Sequence, residues 1–316
     1  MMKTPRTVLK TALALAGATA LLAADESGFG FAQKEDRLLI THGGQPVASY
    51  VFRDEKIRRP FFAQVHAPGG LQVTRHHPPR SGEDETDHDT MHPGLWLAFG
   101  DLSGEDFWRN KGTVRHERFV EPPVVRDGAL TFTAANRFLT REGKALCAQT
   151  SRITLSARPG GYLLIWEAEF KSDDGDFYFG DQEEMGLGLR VATPMTEKNG
   201  GMILNSAGQK TAQATWGKPA DWCDYSGTLY NRRAGLMIMP DPKNFRPSWF
   251  HNRDYGLMVA NPFGRNAMTQ GAPSRVEVKR GESFRLRFGV LIHASAPGER
   301  FDRLRAYEDF LKPSRN

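Results

Sequence analysis

The sequence predicts an all-β protein: a large antiparallel β-sandwich, of supersandwich or jelly-roll type, with a short C-terminal helix. Three observations carry this expectation. Apolar and polar residues alternate at period two in several separate segments, the pattern of strands with one wet face. The 316 residues include 32 Gly and 19 Pro, enough for many turns, while 20 Phe and 6 Trp favour strands over helices. No strand–helix–strand alternation is visible, which disfavours a doubly wound sheet.

The elements follow in order. Residues 37–41 (RLLIT) and 47–52 (VASYVF) flank His42-Gly43-Gly44-Gln45-Pro46 and read as a hairpin. Residues 129–134 (ALTFTA) and 152–156 (RITLS) read as strands. After the turn Pro159-Gly160-Gly161, Tyr162, Leu164, Trp166, Ala168 and Phe170 share one face, with Glu167 and Glu169 on the other. Phe284, Leu286, Phe288, Val290 and Ile292 alternate with Arg285 and Arg287 in the same way. The one clear helical stripe is late, at Phe301, Leu304, Tyr307, Glu308 and Leu311, and predicts a helix from 297 to about 311. Residues 76–94 (HHPPRSGEDETDHDTMHPG) have neither period and predict a long ordered, functional loop.

The N-terminus reads as an address. Lys3, Arg6 and Lys10 precede an apolar stretch over residues 11–24, the pattern of a secretory signal peptide. The expected organisation is therefore a signal peptide over 1–24 and a single β-sandwich domain over 25–316, located in the periplasm or secreted. The whole chain carries a net charge of +5, and losing those three basic residues leaves +2. A protein so near neutrality has no general field for nucleic acid. Beyond residue 30 no run of 18 apolar residues occurs, so no membrane-spanning helix is expected in the mature chain. Cys147 and Cys223 are the only cysteines; they could pair or stay buried as thiols, and no CxxC motif suggests zinc or redox work. Walker, EF-hand and nucleophile-elbow motifs are absent from the sequence. The sequence leaves the oligomeric state open.

Three clusters carry candidate chemistry. In Asp87-His88-Asp89-Thr90-Met91-His92, imidazoles and carboxylates could form an acid–base pair around His92, or hold a divalent cation through His88, Asp89 and His92. In His251-Asn252-Arg253-Asp254-Tyr255, an extended chain puts His251, Arg253 and Tyr255 on one face. His251 and Tyr255 could then move protons while Arg253 binds substrate. In Gly180-Asp181-Gln182-Glu183-Glu184, adjacent carboxylates point oppositely, so one at most faces a site; Glu184 shares a side with Arg190. Trp96, Trp108, Trp216, Trp222 and Trp249 accompany these clusters or Asp224-Tyr225, and indole faces suit the apolar faces of sugars.

At these motifs the chain resembles exported bacterial proteins of the PmoA-like, or "methane oxygenase PmoA", family. The matching pieces include Arg59-Pro60-Phe61-Phe62, Val73-Thr74-Arg75, Asp87-His88 through His92-Pro93-Gly94-Leu95-Trp96, Trp222-Cys223-Asp224-Tyr225-Ser226-Gly227 and His251-Asn252-Arg253-Asp254-Tyr255-Gly256. They lie within residues 59–293. Many relatives read D-H-P-H-H-R-G-L-W where this chain has D-H-D-T-M-H-P-G-L-W, with one histidine and the arginine replaced. The resemblance implies a β-sandwich protein of bacteria that degrade polysaccharides. The family name does not describe this chain, because a methane monooxygenase membrane subunit needs spanning helices.

These observations lead to an exported carbohydrate-active enzyme acting by lyase- or epimerase-like proton transfer. His92, His251, Tyr255 and Glu184 are the expected catalytic groups. Trp96, Trp108, Arg190, Trp222, Asp224 and Arg253 are the expected substrate contacts. No cofactor is required for such chemistry, although a divalent cation is an option. Glycoside hydrolysis is an alternative, with Asp89 and Glu184 as its two carboxylates. The same residue types would also suit a non-catalytic carbohydrate-binding protein or a metal-dependent oxidoreductase.

Overall fold

The computed structural model describes residues 28–296, 298–299 and 301–312. The expected signal peptide, residues 1–24, lies outside the described residues. Two large antiparallel sheets face each other. In spatial order the first contains Phe29–Gln33, Arg37–His42, Gln45–Val51, Phe61–Ala63, Leu95–Phe99, Met185–Arg190, Leu257–Asn261, Trp249–Asn252 and Lys218–Pro219. The second contains Met202–Asn205, Cys223–Leu229, Arg232–Pro240, Ser283–Ser295, Gly161–Lys171, Ala145–Arg158, Ala129–Leu139 and Thr113–Arg126. Two two-stranded ribbons complete the strands.

The main core lies between the sheets. Leu95, Leu97, Phe99, Leu187, Leu189 and Met258 from the first meet Leu164, Trp166, Phe170, Leu236, Phe288 and Val290 from the second. Removing each such side chain from water is worth roughly 1.5–3 kcal/mol, an upper bound set by the extended-chain reference. Cys147 and Cys223 are buried and unpaired. Burial pushes the Cys147 thiol up to about 12, so both its inaccessibility and its protonation make it inert.

The structure corrects three local expectations. Register pairs His42 with Gln45, so the first hairpin turns on Gly43-Gly44 alone, both at positive φ. The strand Gly161–Lys171 is dry on both faces along its first half: Leu163 and Ile165 join Met237, Met239, Leu291 and Phe310 beneath the C-terminal helix. That helix spans Arg303–Leu311, later than the sequence stripe suggests, because the Asp302 side chain caps it by accepting from the Arg305 amide at 3.0 Å.

The outer face of the first sheet is also covered. Phe61, Ala63, Trp96, Ala98, Leu257 and Val259 point away from the main core and form a second cluster with Trp108. This explains the unbroken apolar run Leu95-Trp96-Leu97-Ala98-Phe99: core lies on one side, and the 76–94 loop with the 104–112 segment on the other. Among the described residues, no helix is long and apolar enough to cross a membrane.

Candidate functional site

Strand register builds the site. Trp96 pairs with Gly188, Gly188 with Val259, and Val259 with His251. These four residues form one row on the outer face of the first sheet, about 14 Å long at the usual inter-strand spacing. Gly188 is required there: a Cβ would lie 2.8 Å from Trp108 Cη2 and 2.9 Å from Trp96 Cε2. Arg190, two residues along the same strand, projects from the same face.

Buried arginines order the loop above this row. Arg75 Nη1 donates to the carbonyls of Glu85 and Asp87, each at 2.7 Å, and Nη2 to that of His92 at 3.2 Å. Arg59 donates to the carbonyls of Trp108 at 2.8 Å and Met91. Asn110 Nδ2 donates to the Thr90 carbonyl at 2.6 Å. A segment without strand or helix ladders thus satisfies its backbone through guanidinium and amide donors. Burial lowers Arg59 to about 9 and Arg75 to about 10, the latter aided by Arg190, so both remain charged at neutral pH.

Asp87 is the hub. Its carboxylate accepts from Arg190 Nη2 at 2.7 Å and Nη1 at 3.0 Å, and meets His88 Nδ1 at 2.6 Å. Burial pushes this carboxyl up, but the hydrogen bonds from Arg190 and His88 outweigh it and hold it well below the usual range. His88 adopts φ +50°, a left-handed conformation uncommon for a residue with a Cβ. Its side chain is 40% exposed. One nitrogen is oriented by the carboxylate. The ring stacks on His92, centroids 4.9 Å apart, and lies parallel to Tyr255 at 6.0 Å. Arg190 sits over the other side of the cluster, 4.5 Å from the Tyr255 ring centroid.

His92 lies deeper, stacked between His88 and Trp96 and only 1% exposed. Burial, with Arg190 nearby, lowers its pKa well below the ordinary imidazole value, so it is neutral. Arg190 Nη1, which can only donate, lies 3.4 Å from His92 Nδ1. That assigns the proton to Nε2.

At the far end of the row, His251 is also buried and is lowered to about 3, first by burial and then by Arg253. Glu183 lies between them: its Oε2 is 3.5 Å from His251 Nδ1 and 3.3 Å from Arg253 Nη2. Trp216 is half-buried beside them, edge-on to His251 at 6.4 Å and under Arg253 at 5.8 Å. Burial raises the Tyr255 phenol, so it is protonated at neutral pH. The turn carrying Arg253 and Tyr255 is pinned from the other sheet. Tyr225 OH accepts from the Glu197 amide at 2.8 Å and donates to the Asp254 carbonyl at 3.0 Å.

The structure therefore brings His88, His92, Trp96, Trp108, Arg190, His251, Arg253 and Tyr255 to one sheet face, but changes several expected roles. Trp96 and Trp108 are fully buried, so neither offers an indole face to a sugar. Arg190 is held by Asp87 instead of being available to substrate. Glu184 turns to Arg109, and Glu183 takes the place expected of it. Trp222 and Asp224 do not join this face. Asp224 is fully buried on the outer face of the second sheet, 2.8 Å from His293 Nε2 and 2.7 Å from Arg303 Nε. Trp222 packs beneath the C-terminal helix. Asp89 is exposed, and the stacked rings of His88 and His92 do not direct their in-plane lone pairs at a common point. Among the described residues, no group of three or more His, Cys, Asp or Glu is arranged to hold a metal. Asp87, Glu183 and Trp216 hold places in the site that their sequence context alone does not assign. The order of Asp87-His88 held a signal for the first, because neighbours in a tight turn can bond side chain to side chain.

A sandwich with a polar cluster roofed onto the outer face of one sheet defines the class. The chain matches a family of unknown function, DUF6807, over residues 37–304, and belongs to that family. This corrects the PmoA-like assignment drawn from the motifs, since the family matched is DUF6807. No curated protein matches the sequence. Similar solved structures include a GH36 α-galactosidase from Geobacillus stearothermophilus in complex with raffinose, at 11% identity and TM-score 0.39, covering 85% of this chain and 40% of that one. A galactose mutarotase related enzyme from Lactobacillus acidophilus is 10% identical at TM-score 0.32, covering 85% of this chain and 98% of that one. A TPR-domain containing protein from Parabacteroides distasonis is 10% identical at TM-score 0.33, covering 85% and 49%. The chain spans less than half the length of the α-galactosidase. The structural neighbours thus include carbohydrate-active enzymes.

Proposed function

We propose that this chain is an exported, periplasmic or secreted, carbohydrate-active enzyme that moves protons on a sugar in a lyase- or epimerase-like reaction. The observation that carries the reading is the Asp87–His88 pair, whose contact is 2.6 Å, with the imidazole open to solvent and its carboxylate clamped by a buried arginine. A carboxylate on one ring nitrogen fixes the tautomer and the ring's orientation. His88 is then the base that meets substrate, and His92 stacks behind it. Tyr255, protonated and parallel to His88, is the proton donor. Arg253 and the half-buried Trp216 are the substrate contacts, with Glu183 and His251 positioning Arg253. A cofactor is not required by these steps.

Product analysis by mass spectrometry on a panel of acidic and neutral polysaccharides tests this. Epimerisation leaves the mass unchanged, elimination cleaves the chain without adding water, and hydrolysis adds water. Hydrolysis alone, undiminished in His88→Gln, would overturn the proposed chemistry.

The burial of His92 and His251 favours a second reading, a non-catalytic carbohydrate-binding protein in which both rings are structural. It predicts binding of a glycan with no product from any member of the panel.

A further inference from the structure

Beneath the His88 turn lies a group of buried donors with no acceptor. Among the described residues, His92 Nε2, Trp96 Nε1, Trp108 Nε1 and Arg59 Nε all lack a hydrogen-bond partner. The Nε atoms of Arg75 and Arg190 lack one too. The first four side chains are neighbours: His92 is 5.2 Å from Trp96 and 6.1 Å from Trp108, Trp96 is 5.3 Å from Trp108, and the Arg59 guanidinium is 5.8 Å from the Trp96 ring. With the His92 proton on Nε2, every one of these atoms is a donor. A buried donor without an acceptor costs roughly what a lost hydrogen bond costs, and several together in one place mark a site for an acceptor-rich group.

The charge balance points the same way. Arg59, Arg75 and Arg190 are all buried, and among the described residues only one carboxylate, Asp87, touches any of them, bonding Arg190 and Arg75. Among the described residues, Arg59 hydrogen-bonds only neutral oxygens, those of Phe107, Trp108, Met91 and Asn110. Asp106, the carboxylate whose charge acts on Arg59, is paired with Arg109 instead. A buried guanidinium without a counter-ion is unfavourable unless an anion joins it.

We propose that this donor cluster binds an oxyanion, and that in the working protein the oxyanion is the carboxylate of an acidic sugar unit. This deepens the reading above and rests on it for the sugar. The carboxylate would accept from His92 Nε2, the two indole N–H groups and Arg59 Nε, directly below the exposed His88. The turn closed by the Met91 and His92 amides on the His88 carbonyl, at 3.0 and 2.9 Å, covers the cluster, and it must open for the group to enter. A base placed over a neutralised carboxylate is what abstraction of the adjacent carbon proton needs, because the charge that develops spreads onto that carboxylate. The proton goes to His88. In elimination the electron pair expels the oxygen on the next carbon, which takes a proton from Tyr255.

Calorimetric titration of the full chain with trigalacturonate, its methyl ester and sodium sulfate tests this. The acid is expected to bind at least about tenfold more tightly than the ester, and Trp108→Phe, which keeps a ring and loses one donor, to weaken the acid about tenfold while leaving the ester unchanged. Trp96→Phe is the second variant, and the acid–ester comparison needs neither to fold. Equal binding of acid and ester would overturn the oxyanion site and leave the sugar reading standing. Binding of sulfate with no sugar bound would support the oxyanion site and overturn its assignment to a sugar carboxylate. No binding by any of the three would overturn the proposal, with water filling the cluster.

Discussion

Replacing Asp87 by Asn should loosen the whole roof of the site and remove a measurable share of the stability. The substitution keeps shape and some hydrogen bonding but leaves the Arg190 guanidinium, 1% exposed, without its counter-charge. Stranding one partner of a fully buried pair costs about 3–5 kcal/mol. The Asp87 side chain is 36% exposed, so solvent screens part of this and about 2 kcal/mol is the expected loss. For a domain of this size that lowers the melting temperature by about 3–4 °C. The pH dependence gives a second, independent check. The folded pKa of Asp87 is depressed below the ordinary 3.8, so its stabilisation is fully present above that value and is lost as pH falls through the folded pKa. The gap between wild type and D87N, measured by urea denaturation, should therefore be constant from pH 7 to 5 and shrink below pH ~4. A D87N protein within about 0.5 kcal/mol of wild type at pH 7 would refute the reasoning, since that is the range of an ordinary surface substitution. So would a gap that persists unchanged into strong acid.

Other outcomes follow from the same geometry. His251 has a folded value of about 3 against an ordinary 6.5, so the neutral ring stabilises the fold above 6.5 and that contribution is lost as pH falls toward 3. His251→Gln should flatten the acid side of the stability curve by up to about 1.4 kcal/mol per pH unit below 6.5, and an unchanged slope would show the ring to be solvated. Gly188→Ala pushes a methyl into two indoles and should cost about 1–3 kcal/mol, with a change in tryptophan fluorescence; a neutral effect would mean the rings can shift aside. Arg303→Met strips a cation from the buried Asp224 and should raise proteolytic cleavage within 301–312 before global unfolding. Cleavage no faster than wild type would show that Phe310 and Phe301 alone hold the helix.

Much of the fold was legible because burial repeats at the period of the strand. Phe284, Leu286, Phe288, Val290 and Ile292 face the core as their alternation says, with Arg285 and Arg287 outside. What period two does not report is a second cover on the outer face. Leu163 and Ile165 fill the polar phase of an alternating strand because a helix remote in sequence lies on them. The candidate site was legible as residue types and much less so as roles. Clustering drew attention to Asp87 through His92 and His251 through Tyr255, and register then placed them on one face. Exposure is a tertiary property, however, and it separates His88 at the surface from His92 beneath it, four residues away. The same limit applies to Glu183 and Glu184. Both precede the strand Met185–Arg190, so no pleat fixes which one turns to Arg253 and which to Arg109. The neighbours of Asp224 in sequence suggest the site, but its strand belongs to the other sheet and its side chain points away.

The proposed mechanism depends most on His88 being the group that exchanges a proton with a sugar. Turnover and binding of His88→Gln, measured side by side with wild type on whichever glycan the panel identifies, test this most directly. The expected result is a loss of about 10²- to 10⁴-fold in kcat with affinity for the glycan retained within a few-fold. Turnover equal to wild type would remove His88 from the chemistry and with it the proton-transfer mechanism.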